Sequence, residues 1–208
     1  MISNNTKTYR ANNTRLNTRP NTKKNNLQLE RLEVSYPNTL LQSIKNNQDI
    51  KQFQMIYKNA PQVTITNAKS KLYLITMTDP DAPYGITNTN TTNTTNNTTN
   101  KSNTKNHTYT HWIYLQDMRN KNNTSTILFK YAPPSPPYGI HRYQFRLYDF
   151  TNVSLTTLDT LKKNINNTLD RNIDYISNLS NLNNKNNKNI KPIGKFQYRV
   201  NSGKATIT

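Results

Sequence analysis

A chain of 208 residues suits one hydrophobic core better than two, and with 32% hydrophobic residues and a mean hydropathy of -0.96 that core requires the apolar side chains to be concentrated. Having no cysteine, the chain excludes disulfides, thiolate metal centres and a cysteine nucleophile. The formal charge of +18 invites a nucleic-acid reading, but the basic residues lie in Asn-rich tracts without the aromatic interleaving that stacks bases, so nucleic acid is not the expected partner.

Residues 1–26 are polar and basic, without the apolar run of a secretory signal, and read as a disordered leader. No stretch is apolar over the length that crosses a bilayer as a helix. A compact domain is expected over 27–200. The segment from Leu27 opens it, with Glu33–Tyr36 as its paired part, and Gln62–Thr66 alternates polar and apolar residues as a half-buried strand does. Lys71–Thr78 is nearly continuous in apolar and β-branched residues, which predicts a central strand covered on both faces. It is expected to stop at Asp79-Pro80-Asp81-Ala82-Pro83, where two prolines remove ladder donors.

Residues 86–106 form a Thr/Asn tract without periodicity, expected as a flexible insertion. Strands are then predicted at Tyr109–Leu115, Thr126–Tyr131 and His141–Tyr148, the last two separated by a loop, Ala132–Gly139, that holds four prolines. Leu155, Leu158, Leu161, Ile165, Leu169, Ile173 and Ile176 recur at spacings of three and four, the stripe of one amphipathic helix or two short ones. A second Asn/Lys tract covers 178–191, a last element Pro192–Val200, and a tail 201–208.

Asp79 and Asp81 bracket a proline at a strand end, where Asp side chains commonly accept backbone N–H bonds in a turn. Two of the three histidines, His111 and His141, also sit at strand ends, His141 close after Pro/Gly-rich loop sequence. Together these residues mark the candidate site. Neighbouring carboxylates are expected to raise the histidine pKa values and favour the donor forms.

Four blocks carry a family resemblance: LYLITMTDPDAP (Leu72–Pro83), YTHWIYL (Tyr109–Leu115), YAPPSPPYGIHRYQFRLY (Tyr131–Tyr148) and KPIGKFQYRV (Lys191–Val200). In this order they resemble the phosphatidylethanolamine-binding protein family, which includes plant floral regulators and animal Raf-kinase-inhibitor proteins. The resemblance implies a mainly β fold, a large antiparallel sheet packed on a smaller one with one or two peripheral helices, and a cis peptide near the D-P-D-x-P motif. Carried over residue by residue, it implies a pocket lined by Asp79, Asp81, His111, Gly139, His141 and Tyr143. Tyr109 and Tyr198 are then expected at the rim, with Pro80, Pro83 and Arg142 as structural support. Arg142 is expected to pair with Asp79 or Asp81. Departures from the family pattern are the insertion at 86–106 near the pocket mouth, Tyr138 beside Gly139, and the diluted closing block around Tyr198.

The function so implied is non-enzymatic: a binding and regulatory protein whose pocket takes a phosphate-type head group, from phosphatidylethanolamine, another phospholipid or a phosphorylated peptide. No cofactor or metal is expected, and a kinase or protease is the expected class of protein partner. Two rivals stay open. One is a metal-assisted or acid–base hydrolase built on the same carboxylates and histidines. The other is a basic adaptor to nucleic acid or to the periphery of an anionic membrane. The expected location is cytoplasmic, which for a virus means host cytosol or a packaged particle.

Overall fold

The computed structural model describes residues 29–37, 39, 41–50, 58–83, 107–119, 122–176 and 190–203. The expected leader, the insertion at 86–106 and most of the 178–191 tract lie outside them. Eight strands are described: β1 (Arg31–Ser35), β2 (Gln48–Ile50), β3 (Gln62–Thr66), β4 (Leu72–Ala82), β5 (His107–Asp117), β6 (Ser125–Phe129), β7 (Ile140–Asp149) and β8 (Gly194–Asn201). One helix, α1 (Leu155–Thr168), is described between β7 and β8.

Six strands form one sheet in the order β2-β8-β7-β4-β5-β6, while β1 and β3 form a small antiparallel sheet. The large sheet is antiparallel except at its edge, where the three-residue β2, absent from the sequence expectation, runs parallel to β8. Periodicity has little to work on in so short a strand.

The layering explains the burial. One face of the large sheet presents Ile75, Met77, Phe145, Leu147, Phe196 and Val200 to the small sheet's Leu32 and Val34. The other face presents Leu74, Ile113 and Leu115 to Leu161 and Ile165 of α1. Because β4 lies at the centre of the sheet, its residues Tyr73 to Asp79 are all buried. A near-continuous apolar run is what covering both faces demands.

The central strand does not stop where the prolines suggested. β4 continues to Ala82, because its pairing with β7 ends at Thr78↔Gln144, and on the β5 side the register slips between Asp79 and Ala82. Pro80 falls in that slip, where no ladder N–H is required. The Ala82–Pro83 peptide is cis.

α1 starts at Ser154, whose Oγ accepts the Thr157 N–H at 3.1 Å. It ends where Leu169 turns left-handed (φ 46°) and its N–H reaches the Ile165 carbonyl. The stripe of seven apolar residues is therefore split. Leu161 and Ile165 are buried, Leu155 and Leu169 are exposed, and helical backbone resumes at Tyr175 and Ile176, which join the same core.

Candidate functional site

The site lies at one end of the large sheet, where the close of β4, the starts of β5 and β7, and the proline loop converge. The central placement of β4 and β7 makes the site dry: Asp79, Asp81 and His111 are each less than 5% exposed, and His141 is fully buried.

The two aspartates do different things. Asp79 Oδ1 accepts the Asp81 N–H at 2.8 Å, the turn contact expected of a bare D-P-D, while Oδ2 accepts from His141 Nδ1 at 2.6 Å. Asp81 turns to Arg142, accepting from its backbone N–H at 2.9 Å, from Nε at 2.8 Å and from Nη2 at 2.7 Å. This fork fixes the start of β7 against the end of β4 and raises the Arg142 pKa still further. Arg142 thus pairs with Asp81 and takes up that carboxylate.

With Nδ1 bonded to Asp79, His141 Nε2 is left buried and without a hydrogen-bond partner among the described residues. His111 Nδ1 donates to the Ala132 carbonyl at 2.8 Å, tying β5 to the proline loop. Burial pushes the His111 pKa down from 6.5 to about 4, overriding the upward pull of the Ala132 carbonyl and Asp79. The expected rise is thus reversed for His111: near neutral pH it is uncharged, with Nδ1 carrying the proton and Nε2 an acceptor. Desolvation wins because the ring is almost wholly enclosed, while Asp79 already serves His141.

A cavity of about 370 Å³ opens here, within the range of small-molecule sites. Asp79, Tyr109, His111, His141, Tyr143 and Pro83, all singled out in the sequence, line it. The proline loop adds Pro133, Ser135 and Pro137. No Lys or Arg is among the described lining residues. His111 packs between Tyr109, at a ring separation of 4.7 Å, and the edge of Tyr143, at 5.2 Å.

Three expected site residues stand apart from the cavity wall. Asp81 lies behind it, holding Arg142. Gly139, with φ 61°, makes the left-handed turn that delivers the chain into β7, and its carbonyl accepts from the Ser202 N–H. Tyr198 is fully buried and does not reach the rim. β8 places it opposite Tyr143 and stacked on that ring at 5.5 Å, with its hydroxyl 2.8 Å from that of Tyr36. It supports the wall from inside the core.

Two lining residues escaped the sequence reading. His107 opens β5, Asn172 follows α1, and His107 Nε2 donates to Asn172 Oδ1 at 2.7 Å. Their neighbour Arg171 donates to the carbonyls of Thr110, His111 and Lys130, with its guanidinium 4.5 Å from the Phe129 ring centre. A lone Arg-Asn pair after a helix carries no local signal. Among the described residues, no group of three or more His, Cys, Asp or Glu is placed to hold a metal ion.

The model of the phosphatidylethanolamine-binding protein family matches residues 41–177. The chain belongs to that family. Comparison with curated protein sequences gives no significant match. Among solved structures, the chain is similar to a carboxypeptidase Y inhibitor complexed with its cognate proteinase, with a TM-score of 0.51 and 17% identity over 84% of each chain. It is also similar to phosphatidylethanolamine-binding proteins from Plasmodium vivax (TM-score 0.45, 13% identity, 82% of this chain and 84% of that one) and Plasmodium falciparum (TM-score 0.47, 13% identity, 81% and 83%). At 17% identity the likeness to the inhibitor speaks for the fold alone: a mainly β member of the family with a two-strand sheet packed on a six-strand one.

Proposed function

We propose that this family member is a non-enzymatic binding protein whose cavity takes the phosphate group of a small head group. One observation carries the reading: the buried, unpartnered His141 Nε2 on the cavity wall, with its other nitrogen held by Asp79. A buried polar atom without a partner costs free energy, and a ligand oxygen at Nε2 removes that cost. With both ring nitrogens protonated, Asp79 pairs the imidazolium charge while Nε2–H donates to the ligand oxygen. Both Asp79 oxygens already accept hydrogen bonds, which weakens their repulsion of the incoming anion. Neutral His111 supplies an acceptor for a hydroxyl proton of the ligand.

With Arg142 committed to Asp81 and no Lys or Arg among the described lining residues, the charge offered to the anion is that of an imidazolium already paired with Asp79, so binding is modest and weakly salt-dependent. The apolar share of the wall, from Pro83, Pro133, Pro137 and the tyrosines, suits the carbon stem of a head group. A regulatory role toward a kinase or protease belongs to the same proposal, with the bound pocket as its control point. Calorimetry with inorganic phosphate and phosphoethanolamine, on the wild type and on a folded His141→Ala variant, tests the pocket. Saturable binding lost in His141→Ala is expected. Wild-type binding that survives in the variant, or none in the wild type, overturns the reading. Vesicles carrying phosphatidylethanolamine and a phosphoserine peptide, run beside the soluble ligands, separate a lipid source from a peptide one.

A further inference from the structure

The outer face of β7 and β8 carries a second cavity, away from the histidines. Along these strands Tyr143, Phe145, Phe196 and Tyr198 point into the core between the sheets, so the alternate residues face the other way. Register sets those residues in three directly opposed rows: Arg142↔Arg199, Gln144↔Gln197 and Arg146↔Lys195. α1 covers this face over β4 and β5, through Leu74, Ile113 and Leu115. Over β7 and β8 the three rows stay partly open to solvent.

Like charges directly opposite each other on neighbouring strands destabilise a sheet, and the two cationic rows meet that cost differently. In the first, each arginine has its own carboxylate: Arg142 pairs with Asp81 at 2.7 Å and Arg199 with Asp49 at 2.8 Å. In the other, Arg146 has Asp174 only at 3.6 Å, beyond hydrogen-bond reach, and the exposed Lys195 ammonium has no ion-pair partner among the described residues. The middle row is a relay of amides. Arg146 Nη2 donates to Gln144 Oε1 at 3.1 Å, Gln144 Nε2 to Gln197 Oε1 at 3.1 Å, and Gln197 Nε2 to Asn47 Oδ1 at 2.7 Å. The Gln197 backbone is held as well, its N–H by Asn46 Oδ1 and its carbonyl by the Asn47 N–H. Each glutamine retains one donor N–H and one acceptor lone pair beyond the relay. Arg146, Lys195, Gln144, Gln197, Asn46 and Asn47 line a cavity of about 350 Å³, which shares no described lining residue with the histidine cavity.

We infer that this groove is a docking site for an extended acidic segment of a protein partner. A carboxylate set between Arg146 and Lys195 supplies the counter-charge that their row lacks. The glutamine row then meets the segment's main chain, since carboxamides and peptide groups both present N–H donors and carbonyl acceptors. A bare anion would satisfy the cations and leave the relay unused. The chain's charge of +18 draws an acidic partner toward it at long range. The inference stands apart from the phosphate reading, because the two cavities lie on opposite faces of β7.

The test is fluorescence anisotropy on the full chain with a labelled, end-blocked serine–glutamate repeat peptide and its serine–glutamine counterpart. Wild type is expected to bind the acidic peptide and to bind the glutamine one at least about tenfold more weakly. Lys195→Glu, at an exposed position, is expected to weaken the acidic peptide by about tenfold, since it sets a like charge against the incoming carboxylate. Lys130→Glu makes the same change of charge beyond β6, at the other edge of the sheet, and should alter the affinity by no more than about twofold. Free glutamate is expected not to compete at the peptide's concentration, and His141→Ala to leave peptide binding unchanged. No binding in the wild type overturns the docking site, as do equal losses in Lys195→Glu and Lys130→Glu, which would mark an effect of net charge alone. Competition by free glutamate would reduce the groove to a simple anion site, and loss in His141→Ala would put the peptide in the histidine cavity; either result overturns the inference.

Discussion

Lowering the pH should destabilise this protein through His111 in particular, and the size of the effect follows from where the ring sits. Its pKa is about 4 in the folded protein against 6.5 for an ordinary histidine, because burial penalises the charged ring. Between these values the unfolded chain holds the extra proton, so stability is lost as pH falls from 6.5 through 4. Near pH 7 the loss is small. At pH 5.5 it is about 1.4 kcal/mol, and at pH 4 it is about 3 kcal/mol, using about 1.36 kcal/mol for each unit between the two pKa values.

Carboxylates also titrate in this range, so the wild type alone does not isolate His111. His111→Asn does: its amide N–H takes the place of Nδ1–H toward the Ala132 carbonyl, and it has no proton to gain. The assay is urea unfolding followed by tryptophan fluorescence at pH 7, 5.5 and 4 for both proteins, with Trp112, the sole tryptophan, as reporter. The variant is expected to be the less stable at pH 7, having lost ring packing. Its deficit should then shrink by about 3 kcal/mol by pH 4, as the wild type alone incurs the cost of a charged ring. A deficit constant across the three pH values would show that His111 is not held neutral, and the assignment of its Nε2 as a ligand acceptor would go with it.

Replacing Arg142 with Ala leaves the buried Asp81 carboxylate, among the described residues, with only the backbone N–H of position 142, and a loss of about 2 kcal/mol is expected in thermal or denaturant unfolding. Arg142→Lys should recover less than half of it, because an ammonium cannot reproduce the fork; full recovery would show that charge rather than geometry matters at this joint. Tyr198→Phe removes a buried hydroxyl bonded to Tyr36 and should cost about 1 kcal/mol while leaving ligand affinity unchanged, whereas a large fall in affinity would return Tyr198 to the ligand's side of the wall.

Most of the strand framework, and most of the residues that line the candidate cavity, were legible in the chain. Gln62–Thr66 and the apolar run before Asp79 declare themselves because side-chain alternation and double-sided burial leave a local pattern. The D-P-D-x-P pentapeptide, His111 and His141 stand out because strand ends beside proline place polar side chains at one end of a sheet. Even the modest reading of Asp79 as a turn residue held, since one of its oxygens makes that turn while the other holds His141.

What only the tertiary structure decided has a common physical cause: it depends on distance and enclosure between residues far apart in the chain. The pKa of His111 follows from how completely other strands wall it off, and the partner of Arg142 from which carboxylate the end of β4 turns toward it. Tyr198 moves from rim to core through its register against Tyr143, since a strand fixes the face of every side chain at once. His107 and Asn172, 65 residues apart, become one wall through the return of the chain after α1, which no period in the sequence encodes. The residues of the candidate site were thus written locally, while their orientation and the shape of the space they share were set by the packing of the sheet.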